Sequence, residues 1–157
     1  MQILFVCTGN TCRSSMAEAL FKDMIKKHYP DKLKDIKVMS AGVAARDGDK
    51  ASPNAIRAME ELGIDLAFHS ATQLTAELIS EADLILTMTQ RHRDMVLIMN
   101  PGARDKVYTL IEYAHDGQQD QAGLDIEDPF GGSVEVYRKC AAQIKRALDI
   151  LIEKLVK

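Results

Sequence analysis

The 157-residue chain is 46% hydrophobic and 27% charged, which suits one domain (1–157) large enough to bury a core. A net charge of −3 and an aromatic content of 5% without tryptophan argue against nucleic acid as a partner, because phosphate backbones select basic faces and single strands select stacking platforms. The apolar runs are too short for a membrane span, no secretory leader is recognised, and three cysteines do not make a disulfide framework. The expectation is a cytoplasmic monomer, a setting in which cysteine is more often catalytic or redox-active than structural.

Residues 2–6 (QILFV) read as a buried strand ending in a Gly-containing turn. From residue 14 to about 28, Met16, Ala19, Leu20 and Met24 recur at helical spacing. Residues 36–40 form a second strand, broken at Gly42, and the charged stretch 43–50 an exposed loop. Ser52-Pro53 opens a helix with a capping serine, a proline at the first position, a stripe of Ala55, Ile56, Met59 and Leu62, and a stop at Gly63. A short helix over 75–82 precedes a third strand at 83–88, a helix over 90–100 and a fourth strand at 106–110. After a polar loop of about ten residues comes Asp128-Pro129-Phe130, then a helix over 133–156. Its stripe of Val136, Tyr137, Cys140, Ile144, Leu148, Leu151 and Leu155 makes Cys140 a core residue. His28, His92 and His115 stand in polar contexts and are expected at the surface. Strands alternating with helices imply an α/β fold: a single small doubly wound domain with a four-stranded parallel sheet flanked by helices on both faces. Ligands then bind outside the carboxyl ends of the strands, where Cys7 stands.

The run Cys7-Thr8-Gly9-Asn10-Thr11-Cys12-Arg13-Ser14 carries the chemistry. Gly9 and Asn10 tolerate left-handed angles, so successive N–H groups can face one concavity. The following helix adds unpaired N–H groups and the positive end of its dipole, and Arg13 a guanidinium able to grip two phosphate oxygens. The field that binds phosphate also stabilises a thiolate, making Cys7 an in-line nucleophile. Cysteine and arginine at this spacing also arise by chance; the strand before, the Gly-Asn inside and the Arg-Ser at a helix start favour the site. Asp128 is the candidate acid and base, held by Pro129 on a rigid loop, although Asp-Pro is also common turn punctuation. No cluster of histidine, cysteine and carboxylate shows ligand spacing, so neither metal nor cofactor is expected.

These residues together resemble the low-molecular-weight protein tyrosine phosphatases along nearly the whole chain: residues 6–14 with Met16-Ala17-Glu18, Ser40-Ala41-Gly42, Gly63-Ile64 with His69, Ala82-Asp83, and Asp128-Pro129-Phe130. The resemblance implies Cys7 as nucleophile, Arg13 as phosphate clamp and Asp128 as acid then base. It further implies that Ser14 steadies the thiolate and that Asn10 holds the loop with help from Ser40 and His69, although His69 also reads as an ordinary half-buried histidine. Ser15 replaces the family's usual proline. The stretch Cys7 to Arg13, with Thr11, and Asp128-Pro129-Phe130-Gly131-Gly132-Ser133 look closest to the bacterial protein-arginine phosphatases, whose threonine at the position of Thr11 replaces an aliphatic residue of tyrosine-directed members. Thr8, Gly9, Asn10, Thr11, Cys12, Ser14 and Phe130 would then contact phosphorylated protein, and inorganic phosphate would be the product. Phosphotyrosine is the alternative substrate, and Cys12 is placed to form a reversible disulfide with Cys7 or to be a spectator. Arsenate reduction needs two further cysteines after the third strand, and 90–100 holds none. A phosphate-binding module without catalysis would not need both Cys7 and Asp128.

Overall fold

In the computed structural model, which describes residues 1–116 and 123–156, the N-terminal apolar run forms strand β1 (Gln2–Cys7). Period-two alternation divides its side chains between two cores: Ile3, Phe5 and Cys7 join one, Leu4 and Val6 the other. A strand buried on both sides belongs inside a sheet covered on both faces. Strand β2 (Lys37–Gly42) pairs with one edge of β1 and β3 (Leu84–Thr87) with the other, and β4 (Val107–Thr109) lies beyond β3. The order β2-β1-β3-β4, parallel throughout, is the doubly wound sheet expected, with the switch between β1 and β3 at the end of β1.

On the Phe5 side lie helices α1 (Arg13–His28), α2 (Pro53–Glu60), α5 (Leu110–Ala114) and α6 (Val134–Val156). Phe21 of α1 meets Phe5 edge to face with ring centroids 5.9 Å apart, which fixes α1, and hence its first residues, against β1. Helices α3 (Ala76–Glu81) and α4 (Gln90–Met99) cover the opposite face, where Ile79 and Val96 share a core with Leu4 and Ile85. Thr75 and Thr89 cap their N-termini by accepting from the amides of Leu78 and His92. No described helix is long and apolar enough to cross a membrane.

Several local expectations are corrected. Ser52 occupies the cap position of α2, but its side chain does not cap; the hydroxyl lies 3.0 Å from Cys12 Sγ instead. Val136 and Leu62, read as core, are 44% and 45% exposed, since each stands beyond the end of its helix's buried stripe. Part of the polar loop after β4 is α5, closed by a reciprocal capping box between Thr109 and Glu112; residues 117–122 of that loop lie outside the described residues. Cys140 is core as expected, and burial pushes its thiol up to about 12, so it is neutral at pH 7.

Gly42 does not break β2 but ends it, opposite Cys7. The loop after β1 passes directly over it: a Cβ there would stand 2.4 Å from the Thr8 carbonyl oxygen and 2.8 Å from the Asn10 amide nitrogen. Both are backbone atoms that no rotamer change relieves. Gly42→Ala is therefore expected to cost about 1–3 kcal/mol of stability, the range for overpacking, and to weaken phosphate binding by lifting the loop. Denaturant unfolding together with inhibition by inorganic phosphate checks both; unaltered values would mean that the loop yields freely.

Candidate active site

Residues 8–12 run between the end of β1 and the start of α1, and their carbonyls are tied outward one after another. Val43 N–H donates to the Cys7 carbonyl, Ala44 N–H to Thr8, Ser52 N–H to Thr11 and Met16 N–H to Cys12, each at 2.9 Å. His69 Nε2 donates to the Asn10 carbonyl at 2.7 Å. In a trans peptide the next N–H points opposite its carbonyl, so the amides of Thr8, Gly9, Thr11, Cys12 and Arg13 turn away from these anchors, toward the interior of the loop. With the free N–H groups of the first turn of α1 they make an anion cradle.

Asn10 is the keystone. It is fully buried with φ of 58°, in the left-handed region that asparagine tolerates better than other side-chain-bearing residues. Its Nδ2 donates to Ser14 Oγ at 2.8 Å and to Ser40 Oγ at 2.9 Å, and its Oδ1 accepts from Thr72 N–H at 2.9 Å. Ser14 Oγ, which accepts from Asn10, lies 2.8 Å from Cys7 Sγ and 3.4 Å from the Ala41 carbonyl. Ser40 in turn donates to Glu18 on α1. The amide of one residue thus fixes both hydroxyls, one of them beside the sulfur. Ser15, where the resembled family has proline, turns its hydroxyl back onto the Cys12 carbonyl at 2.9 Å and keeps the helix start closed.

Cys7 is 2% exposed at the floor of a cavity of about 220 Å³, which is also lined by Thr8, Gly9, Thr11, Cys12, Arg13, Asp128 and Phe130. Arg13, 4% exposed, donates through Nη1 to the Ile126 carbonyl at 2.9 Å, and its Nη2 lies 3.5 Å from Asp128 Oδ2. Its Nε is buried without a partner among the described residues, a charged donor held for an anion. Asp128 reaches the same cavity from far along the chain. Ile126 N–H donates to the Met88 carbonyl at the end of β3, and Phe130 N–H to Asp128 Oδ1 at 3.1 Å. Gly132 N–H closes a turn on the Pro129 carbonyl, with Gly131 at φ 81°, a value that favours glycine. The Asp128 side chain remains about half exposed, within reach of solvent water, and Phe130 is 74% exposed at the rim. A thiol under an anion cradle, with a carboxylate across from it, can displace a group from phosphorus and protonate what leaves.

Of the residues proposed for the site, Asn10 and Ser14, expected to contact the substrate, are instead fully buried behind the cavity and brace it, and Ser40 and His69 brace Asn10; the others line it. Cys12 lines it and is shared between Ser52 Oγ and Tyr137 Oη at 3.4 Å; burial and that contact push the Tyr137 phenol up to about 12. His92, expected at the surface, is instead 3% exposed, and its Nε2 lies 2.8 Å from Thr8 Oγ1. Burial, then the Arg13 guanidinium, pulls its pKa down to about 4 against the pull of Asp128 and Asp125, so the ring is neutral at pH 7. The available signal was its place four residues before buried Val96 on α4, masked by Gln90, Arg91 and Arg93 around it. A larger cleft of about 370 Å³ between α1 and residues 63–69 contains no cysteine. Among the described residues no group of three or more histidine, cysteine or carboxylate side chains is placed to hold a metal.

The profile of the family described as low molecular weight phosphotyrosine protein phosphatase matches residues 2–157. The chain is 41% identical over 157 residues to the protein-arginine-phosphatase of Bacillus subtilis (strain 168), covering all of this chain and 98% of that one. It is 44% identical to the protein-arginine-phosphatase of Geobacillus stearothermophilus, covering 98% and 95% of the two chains. Among solved structures, a cysteine-to-serine mutant of the YwlE arginine phosphatase with a phosphorylated active-site serine superposes with a TM-score of 0.90 at 41% identity, covering all of this chain and 97% of the other.

Proposed function

The chain belongs to the low molecular weight phosphotyrosine protein phosphatase family, and from that premise we propose a metal-independent cysteine phosphatase that removes phosphate from phosphoarginine in proteins. The observation that carries the reading is the composition of the 220 Å³ cavity: Cys7 on its floor, with Thr11, Asp128 and Phe130 around the position of the leaving group. Similarity over the full length to two proteins named protein-arginine-phosphatase supports the same substrate.

In the first step the Cys7 thiolate attacks phosphorus and the P–N bond breaks. The P–N electron pair goes to the leaving nitrogen, which takes the proton of Asp128, so arginine departs with its guanidinium restored and phosphocysteine remains. The loop amides and the Arg13 guanidinium hold the equatorial oxygens throughout. In the second step Asp128, now a carboxylate, takes a proton from water as that water attacks phosphorus; the P–S bond breaks, releasing inorganic phosphate and the thiolate. Ser14 steadies the sulfur in both steps, and Asn10, Ser40 and His69 keep the cradle in shape. Thr11 presents a hydroxyl and a small methyl face to the leaving group, which leaves room for a planar guanidinium that Asp128 can pair with and Phe130 can stack on. The substrates are phosphorylated proteins. We place the enzyme in the cytoplasm as a monomer, where its three free thiols would stay reduced.

The exposed ring of Phe130 favours one second reading, phosphotyrosine, since an aryl ring can stack there equally well. The test compares kcat/KM on phosphoarginine and phosphotyrosine peptides before and after Thr11→Ile. The expected result is preference for phosphoarginine in the wild type and a shift of about tenfold or more toward phosphotyrosine in the variant, the scale of one misplaced methyl-sized contact plus a lost hydrogen bond. An unchanged ratio would remove Thr11 as selector; wild-type preference for phosphotyrosine would decide for the second reading.

A further inference from the structure

Thr8 directly follows the nucleophile, lines the cavity and is exposed there, yet both of its polar oxygens are engaged by the protein. The carbonyl is held by Ala44 N–H at 2.9 Å, and the hydroxyl by the buried His92 ring at 2.8 Å. The neutral ring carries one proton, and its Nδ1 is buried with no partner among the described residues. Were that proton on Nδ1, an N–H donor would be buried unsatisfied; on Nε2, only a lone pair is left alone, and buried orphan donors are the rarer of the two. The arrangement that leaves the smaller debt has His92 Nε2–H donating to Thr8 Oγ1. The Thr8 hydroxyl proton then cannot point at His92 and is left available to an acceptor in the cavity that Thr8 lines.

We propose that His92 is a positioning residue that makes Thr8 a side-chain donor to the phosphoryl group. The loop then binds its anion with backbone amides, the Arg13 guanidinium and this one oriented hydroxyl. The proposal rests on the reading that residues 7–14 receive the phosphoryl group of the substrate. It assigns a task to a histidine whose ring no other described group satisfies at Nδ1, and it explains why a helix that is polar in sequence sends a ring under the loop.

The test uses His92→Gln, whose side-chain amide reaches the place of Nε2, and His92→Asn, whose amide reaches only that of Nδ1. Thr8→Val and the Thr8→Val/His92→Asn pair complete the set. The readouts are competitive inhibition by inorganic phosphate, KM and kcat on a phosphoarginine peptide, and thermal melting. Thr8→Val and His92→Asn should each weaken phosphate inhibition about tenfold, as for a lost hydrogen bond to a charged group. The loss should appear in KM more than in kcat. His92→Gln should stay within about twofold of wild type, and the double variant should be no worse than either single one. The proposal is overturned if His92→Gln loses as much as His92→Asn, if the two losses add, or if Thr8→Val binds phosphate like wild type. Should His92→Asn fail to fold, His92→Phe, which keeps a ring but offers no donor, takes its place and should lose the same tenfold, and an unchanged His92→Phe would overturn the proposal. A wild-type enzyme indifferent to phosphate would overturn the reading of the loop itself, and the proposal with it, whereas normal inhibition of every variant would overturn the proposal alone.

Discussion

Cys7→Ser is expected to lose turnover on phosphoarginine peptides by a factor on the order of 10⁴ or more, while still binding inorganic phosphate at least as well as the wild type. The two halves of that outcome have separate causes. A serine hydroxyl is a far weaker nucleophile than a cysteine sulfur, so the attack on phosphorus loses its nucleophile. The cradle itself does not depend on sulfur. Its carbonyls are anchored by Val43, Ala44, His69, Ser52 and Met16, and its shape by the buried Asn10 amide. Single-turnover kinetics with calorimetric titration of phosphate separates the effects. Persistent turnover would rule out Cys7 as nucleophile, and loss of phosphate binding would mean that sulfur holds the loop together.

The loop was legible because its requirements are local: an apolar strand before it, Gly-Asn inside it, of which Asn10 alone takes the left-handed conformation, and Arg-Ser at a helix start. The sheet was legible because β1 and β3 are apolar on both faces, as a central parallel strand must be. What escaped were the partners of single polar side chains, which depend on elements distant in sequence. Ser52 precedes a proline in a good capping position, yet its hydroxyl meets Cys12, forty residues earlier. His92 stands among charged residues and still lies 84 residues from the hydroxyl it meets. Gly42 looked like a breaker because glycine weakens strands; its reason is the loop backbone 2.4 Å from where a Cβ would be, a contact made only once β1 and β2 are side by side. Propensity states what a residue tolerates. The packing of β1 against its neighbours decides which tolerance is used.

Asp128 is where the two substrates make opposite demands, so Asp128→Asn is expected to be selective. The substitution keeps an oxygen to accept from Phe130 N–H, and the turn that Pro129, Gly131 and Gly132 close is independent of charge. The variant therefore folds, and Arg13 keeps its bond to the Ile126 carbonyl. The lost ion pair, 3.5 Å long and half exposed at Asp128, contributes little to stability. What disappears is a proton for the leaving atom. A phenolate, whose conjugate acid has a pKa of about 10, can leave with only partial protonation, but a guanidine is a far stronger base, with a conjugate acid of about 12.5–13.8, and leaves well only as it is protonated. General acid catalysis contributes about 10²–10⁴-fold, and the upper part of that range is expected on phosphoarginine peptides. On an aryl phosphate with a good leaving group the first step should survive far better, with phosphocysteine accumulating as a burst because the second step still lacks its base. Rapid-quench measurement on both substrates checks this. Equal losses on the two would mean that Asp128 serves the water step only, and retention of phosphoarginine turnover within about threefold would remove it from the acid role altogether.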